Sequence, residues 1–457
     1  MSPFWALEGT GAAQALHHPK VGWLNRATLA RLADEVVAQL PPRSLFALEF
    51  PPTPEAVAAY LGGLRHRHVA LLLDGELATD LKAALLAHFG IRHIFDGKRW
   101  AEAANRAGQP ALHPDLGLLM STSGSTGSPK LVRLSSANMQ ANAASIAEYL
   151  GLTAKDRAIS SLPLHYSYGL SVLNSHLAAG ACMVLNGHTM TTETFWQAFK
   201  EHGITSLAGV PTTWRMLRQM RFERMNLPSL RTMTQAGGHL EPAEIEWLSQ
   251  VAQRQGRHLF IMYGQTEASP RIAYLPAEMV ARKFGSIGQA IPGGTLRLID
   301  SNGNSIEAAN VEGELVYRGP NVMLGYAESM DDLARGRDID ELRTGDLALR
   351  DADGHYWITG RMKRFIKLFG NRFGLDDVER QLRARGLEAA AVGRDDLLMV
   401  GLVGTPTQAE ALRGELARYY RIHVSAVSVH AIDVLPCNST GKVRHGELLD
   451  QLSNTAD

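Results

Sequence analysis

Cysteine is nearly absent from this chain of 457 residues: Cys182 and Cys437 are the two that occur, in no C-x-x-C and no metal-ligand spacing. That excludes a disulfide framework and a cysteine-based zinc site, and it fits two buried or free thiols in a reducing compartment. Net charge is absent too, with 46 Lys+Arg against 46 Asp+Glu, so there is no electrostatic footprint for nucleic acid. No run of 18 apolar residues exists, so no membrane span is expected. The first residues, Met1-Ser-Pro-Phe-Trp-Ala-Leu-Glu8, lack the basic segment and apolar core of a signal peptide. A cytoplasmic location is the expectation. What is present is ordinary globular composition, 45% hydrophobic and 20% charged, over a length that calls for two or three domains.

Residues 1–20 show no readable pattern. From Thr28 to Leu40 the spacing of Leu29, Leu32, Val36, Val37 and Leu40 predicts an amphipathic helix ended by Pro41-Pro42. Ser44 to Phe50 reads as a strand. Thr53 to Leu61 reads as a helix with Thr53 as N-cap and Pro54 in its first turn. His68 to Leu73 is a second strand and Ala78 to Phe89 a second helix. Strands alternating with helices predict an α/β fold with a parallel sheet. Helices are also predicted over Ala137–Leu150 and Asp376–Arg385, and strands over Leu230–Thr234, Leu397–Val403 and Val424–Val429.

Ser121-Thr-Ser-Gly-Ser-Thr-Gly-Ser-Pro-Lys130 carries the densest chemistry. Gly124 and Gly127 allow tight bending and close approach to a ligand. Successive backbone N–H groups in such a turn make an anion-binding concavity. The hydroxyls of Ser121, Thr122, Ser123, Ser125 and Thr126 add donors, and Lys130 adds a charge, a combination suited to a polyphosphate. It is not G-x-x-x-x-G-K-[ST], because the glycines are too close and Pro129 precedes the lysine. On composition alone it reads as a flexible linker.

Further motifs follow in order: Leu162-Pro-Leu-His-Tyr-Ser-Tyr-Gly-Leu170, Gly209-Val-Pro-Thr-Thr-Trp-Arg-Met-Leu217, Gln235-Ala-Gly-Gly-His239, Tyr263-Gly-Gln-Thr-Glu267, Gly313 to Tyr326, Thr344-Gly-Asp346, Ile358-Thr-Gly-Arg361 and Leu435-Pro-Cys-Asn-Ser-Thr-Gly-Lys-Val-Arg444. Together they resemble the signature series of the acyl-adenylate-forming enzymes, which include acyl-CoA synthetases, luciferases and peptide-synthetase adenylation domains. The resemblance runs from about residue 28 to 445 and is closest to the acyl-CoA and acyl-carrier-protein ligase branch.

That resemblance implies a large, multi-subdomain α/β region at 1–360, rich in parallel sheet and holding the acid and ATP sites, and a small mobile α+β domain at 361–457. Family members usually carry more chain before the phosphate loop, so the N-terminal lobe reads as abbreviated. By residue-wise match, the 121–130 stretch would hold the ATP phosphates. Gly237, Gly238, His239, Tyr263, Gly264, Gln265, Asp346, Ile358 and Arg361 would surround adenine and ribose. Thr266 would contact the α-phosphate, and Glu267 would supply a hard oxygen ligand to Mg²⁺. Lys442 would stand between the substrate carboxylate and the α-phosphate, stabilising charge in the transition state. Lys363 would be the hinge. His165, Tyr166, Trp214 and Met262 would line the acid pocket, with His165 one place early relative to the family pattern. Whether His165 or Tyr166 faces the acid stays open, and an aromatic at helical spacing such as Trp214 is also read as core. The reaction implied is ATP-dependent acyl-AMP formation, then transfer to a phosphopantetheine thiol of coenzyme A or of an acyl carrier protein acting in trans. No Asp follows in 165–175, which tilts the reading away from an amino-acid substrate. An amino-acid adenylation enzyme and a non-catalytic adenylate-binding relative are the alternatives.

Overall fold

The computed structural model describes residues 2–8, 12–103, 108, 110–121, 130–362, 364–368, 371–394, 396–420, 422–438 and 441–454. Local signals in the sequence place many of the elements. Asn25 caps the helix Arg26–Val37 by accepting from the Thr28 N–H. Thr53 caps Pro54–Arg65 in the same way, through the Ala56 N–H. Ser135 and Asn138 form a reciprocal capping box on Ser136–Tyr149. The predicted helices begin and end within a few residues of these, and among the described residues no helix is long and apolar enough to cross a membrane.

The chain divides into two compact units, Met1–Leu296 with Val316–Leu342, and Arg297–Leu315 with Arg343–Asp457. The first unit holds two sheets. In the seven-stranded sheet, Leu45–Glu49, Val69–Leu73, His93–Phe95 and Leu116–Ser121 run parallel, as the strand–helix alternation predicts. Leu116–Ser121 then pairs antiparallel with Leu131–Ser135, Ser121 lying opposite Leu131. The nine-stranded sheet places Ser206–Gly209, Thr232–Gln235 and His258–Gly264 side by side in parallel. Its far edge is built by Gln14–His18, in the stretch that had no readable pattern, and by Gly22–Asn25 just after it. Gln14–His18 pairs with Cys182–Val184, a partner far away in sequence.

Most of a four-stranded sheet of Thr295–Ile299, Gly313–Arg318, Leu342–Arg350 and Tyr356–Arg361 belongs to the second unit. That ladder is why the compact division falls at 342/343 and draws in 297–315, where the sequence reading sets a single boundary at 360/361. The two apolar cores that follow, built from residues between Ile366 and Leu452, lie entirely after position 361. They pack the helices Leu375–Ala384, Pro406–Tyr420 and His445–Asn454 on the strands Ala389–Arg394, Leu397–Val403 and Val427–Ile432. The strand predicted from Val424 starts at Val427, because 424–426 form a 3-10 turn.

Within this unit Glu379, 6% exposed, binds Arg364 at 2.8 Å, His445 at 3.0 Å and the Ala391 N–H at 2.9 Å. Burial would raise its pKa, but the His445 and Arg364 hydrogen bonds and the Arg364 charge outweigh that and hold it at about 2. The carboxylate therefore contributes stability that is full above its ordinary value of 4.5 and is lost as pH falls towards 2. Glu379→Gln is expected to cost the second unit on the order of 3 kcal/mol near neutrality, by leaving Arg364 half-buried and under-paired. Denaturant unfolding at pH 7 and pH 3 checks it: the wild type–variant gap should shrink in acid.

Candidate active site

The strand His258–Gly264 runs out of the nine-stranded sheet into a 3-10 turn, Thr266–Ala268, and the chain returns antiparallel as Arg271–Leu275. The turn is tight at Gly264. A Cβ there would lie 2.1 Å from the Pro270 carbonyl oxygen, which accepts from the Gln265 N–H at 2.8 Å. Gly264→Ala is expected to displace the whole turn and lower activity at least about tenfold, with a loss of several degrees in Tm; steady-state kinetics and a melting curve check both. Asn321 holds the turn from outside. Its amide donates to the Ala268 carbonyl at 2.6 Å and the Arg271 carbonyl at 2.7 Å, and Ser269 donates back to the Asn321 carbonyl at 2.8 Å.

On this turn Glu267 points at Tyr326, whose hydroxyl donates to Oε1 at 2.8 Å. The other carboxylate oxygen has no hydrogen-bond partner among the described residues. Burial, and then the Glu267 charge, push the Tyr326 pKa up, so the phenol stays protonated as a donor. Lys130 lies 3.8 Å above the Tyr326 ring and 3.6 Å from Glu328. Thr266 Oγ1 is 3.4 Å from Ser167 Oγ, at the start of the helix Ser167–Ala178. Ser121 and Lys130 are thus placed by the paired strands that flank them. Thr122, Ser123, Gly124, Ser125, Thr126 and Gly127, and Lys363 in the second unit, lie outside the described residues.

Gly237 and Gly238 follow the strand Thr232–Gln235, with φ +85° at Gly237. A Cβ on Gly237 would meet the Tyr166 hydroxyl at 2.6 Å, so this ring packs against the glycine turn. Gln235 donates to the Gly238 carbonyl at 3.0 Å, and His239 is exposed, 3.7 Å from Glu241. Tyr263 and Gln265 are in contact, with Gln265 Nε2 to the Tyr263 hydroxyl at 3.3 Å. Tyr166 and Met262 share one apolar cluster with Tyr168, Val210 and Phe260. His165 turns instead to Asp74, at 3.6 Å, and burial lowers its pKa despite that carboxylate. Trp214 stands apart from that cluster, as its core reading has it. It is 1% exposed and belongs to a different core, with Phe222 and Leu217, because the apolar face of its helix, Pro211–Gln219, turns inward there.

In the second unit Asp346 and Arg361 face each other across the Leu342–Arg350 and Tyr356–Arg361 ladder. Arg361 Nε donates to Asp346 Oδ1 at 2.9 Å, and Asp346 is 3% exposed. Ile358 pairs with Ala348 on the same ladder. Lys442 sits on a separate short turn. Its N–H donates to Asn438 Oδ1 and its carbonyl accepts from the Asn438 N–H, both at 2.9 Å, with Gly441 at φ +76°.

The sequence reading passed over three of these groups. Tyr326 closes the Gly313–Tyr326 motif, from which no site residue was drawn, and its place at the end of that motif was the available signal. Asn321 lies within the same motif, and Asp74 carried no signal.

Residues 98–327 match the AMP-binding enzyme family. The chain belongs to this family. It is 32% identical over 356 residues to an indoleacetate–CoA ligase of Aromatoleum aromaticum, covering 74% of this chain and 68% of that protein. It is 33% identical over 356 residues to a sulfoacetate–CoA ligase of Cupriavidus necator, covering 75% and 68%. An O-succinylbenzoate coenzyme A synthetase of Bacillus subtilis, solved with ATP and magnesium ion, superposes with a TM-score of 0.80 over 98% of this chain and 100% of that one, at 24% identity. The last likeness establishes the mixed α/β fold, a large sheet-rich N-terminal region followed by a smaller C-terminal domain.

Proposed function

We propose that the protein is an AMP-forming acid–thiol ligase. A carboxylate oxygen attacks the α-phosphorus of ATP, the bond to the β-phosphate bridging oxygen breaks, and pyrophosphate leaves. The sulfur of a phosphopantetheine thiol then attacks the acyl carbon, the bond to AMP breaks, and the thiol proton passes to solvent. The observation that carries this reading is the 264–267 turn. It presents Glu267, held on one oxygen by Tyr326, whose ring face also carries Lys130 at the edge of the Ser/Gly stretch.

Each residue then has a role that its chemistry supports. Lys130 and the 121–127 stretch bind the outer phosphates. Tyr263, Gly237 and Gly238 take the adenine, and Asp346 with Arg361 the ribose. Lys442 balances the two anions brought together in the first step. Glu267 fits Mg²⁺, because that ion takes one or two carboxylates and the nucleotide phosphates. Among the described residues no cluster of three or more acidic, His or Cys side chains offers another cage. The ion would neutralise charge on the phosphates during transfer. Rotation of 361–457 about Lys363 between the two steps, and a location in the cytoplasm, are part of the same proposal. Coenzyme A is the acceptor favoured by the CoA-ligase relatives, with a carrier protein as the second candidate.

Acid-dependent ATP–pyrophosphate exchange tests it. Exchange is expected with one class of acids, followed by thioester formation once CoA or a carrier protein is added. ATP binding without exchange for any acid would overturn the reading.

A further inference from the structure

Behind Met262 the first unit encloses a small cavity, of about 20 Å³, lined by Tyr168, Ser171, His176, Thr234 and Arg271. That is room for one water-sized group. Arg271 is 2% exposed and stands at its wall. No carboxylate pairs with its guanidinium among the described residues, and its Nε is buried without a hydrogen-bond partner. What surrounds it is tyrosine. The ring of Tyr168 lies 4.9 Å from the guanidinium carbon, the Tyr149 hydroxyl is within hydrogen-bonding reach of the Arg271 side chain, and the charge also acts on Tyr166.

A buried guanidinium without a counter-charge is costly to fold, and cation–π contact offsets part of that. The Nε–H, a fixed donor left without an acceptor, is instead matched to an incoming oxygen. His176 does not compete for that role. Its Nδ1 donates to the Val172 carbonyl at 2.8 Å, its Nε2 faces Ser206 at 3.3 Å, and burial keeps the ring neutral. The Tyr149 hydroxyl donates to Met262 Sδ at 2.9 Å, which ties the guanidinium's surroundings to a residue expected in the acid pocket.

We propose that Arg271 is the specificity residue of the acid site, taking one oxygen atom of a second polar group, a carboxylate or a ring hydroxyl, at the far end of the substrate acid. This rests on the ligase reading above. The cavity admits an oxygen atom there but not several methylenes, so plain fatty acids are disfavoured both by space and by the unmet charge. A pocket built to hydrogen-bond a substrate oxygen rejects the analogue that lacks it far more strongly than an apolar pocket rejects a size change.

The test is pyrophosphate exchange on matched pairs: benzoate against 4-hydroxybenzoate and terephthalate, and hexanoate against adipate. Wild type is expected to favour the oxygen-bearing member by about 10²-fold or more in kcat/KM. Which member wins tells hydroxyl from carboxylate. Arg271→Met should bring the ratio near one, and Arg271→Lys should restore part of it. Melting curves and ATP titration report whether the variants fold, and the wild-type ratios stand even if Arg271→Met does not. Equal rates on both members of every pair, or variants that lower all acids in proportion, would overturn the proposal while leaving adenylation intact. No exchange with any acid, by contrast, would overturn the ligase reading and this one with it.

Discussion

Lys442→Ala is expected to lower acid-dependent pyrophosphate exchange about 10³-fold and to leave the melting temperature essentially unchanged. The size follows from the role. A single charge aimed at a phosphoryl transition state is worth about 10³–10⁵ in rate in related chemistry. The unchanged stability follows from the setting. The turn that carries Lys442 is held by backbone groups and by Asn438, and the lysine side chain is only half-buried. Thiolysis of acyl-adenylate supplied ready-made should survive in the variant, since the proposed role of Lys442 belongs to the first step. Loss of both half-reactions in equal measure would mean that Lys442 positions the nucleotide instead of serving one transition state.

Glu267→Gln is the second large effect expected, about 10²-fold in kcat/KM with a raised Mg²⁺ requirement. Glutamine keeps the shape and can still accept from the Tyr326 hydroxyl, so the turn should hold. What goes is the charge that makes this side chain a hard ligand. Titrating Mg²⁺ at fixed ATP separates a metal effect, which excess ion partly rescues, from a collapsed site, which it does not. Tyr326→Phe should give a milder version, about tenfold, because it releases Glu267 without removing it.

Much of this was legible in the sequence, for local reasons. Thr53 before Pro54, and Ser135 three residues before Asn138, are caps whose geometry needs no distant partner. Tyr263-Gly-Gln-Thr-Glu267 was legible because a strand, a glycine and a carboxylate in that order define a turn and its chemistry together. What was not legible depends on contacts far apart in the chain. Gln14–His18 has two apolar residues at its centre and becomes a strand by pairing with Cys182–Val184. The roles of His165 and Tyr166 separate only once Asp74 and Gly237 are in place beside them. Trp214 shows the limit most plainly. Helical spacing says that the indole is on the apolar face, but which cavity that face meets is decided by the neighbouring core. The charge on Arg271, one residue in a strand, carried no warning that it would be buried.

Asn321 grips two carbonyls at once, one beside Glu267, the proposed metal ligand, and one on Arg271, the proposed contact for the far end of the acid. Retuning this enzyme towards new acids by substitution near Arg271 therefore pulls on the same anchor that seats Glu267. Evolution and engineering face a shared constraint here: variants selected for a new substrate should tend to lose turnover, and compensating changes should collect around position 321, away from the pocket itself.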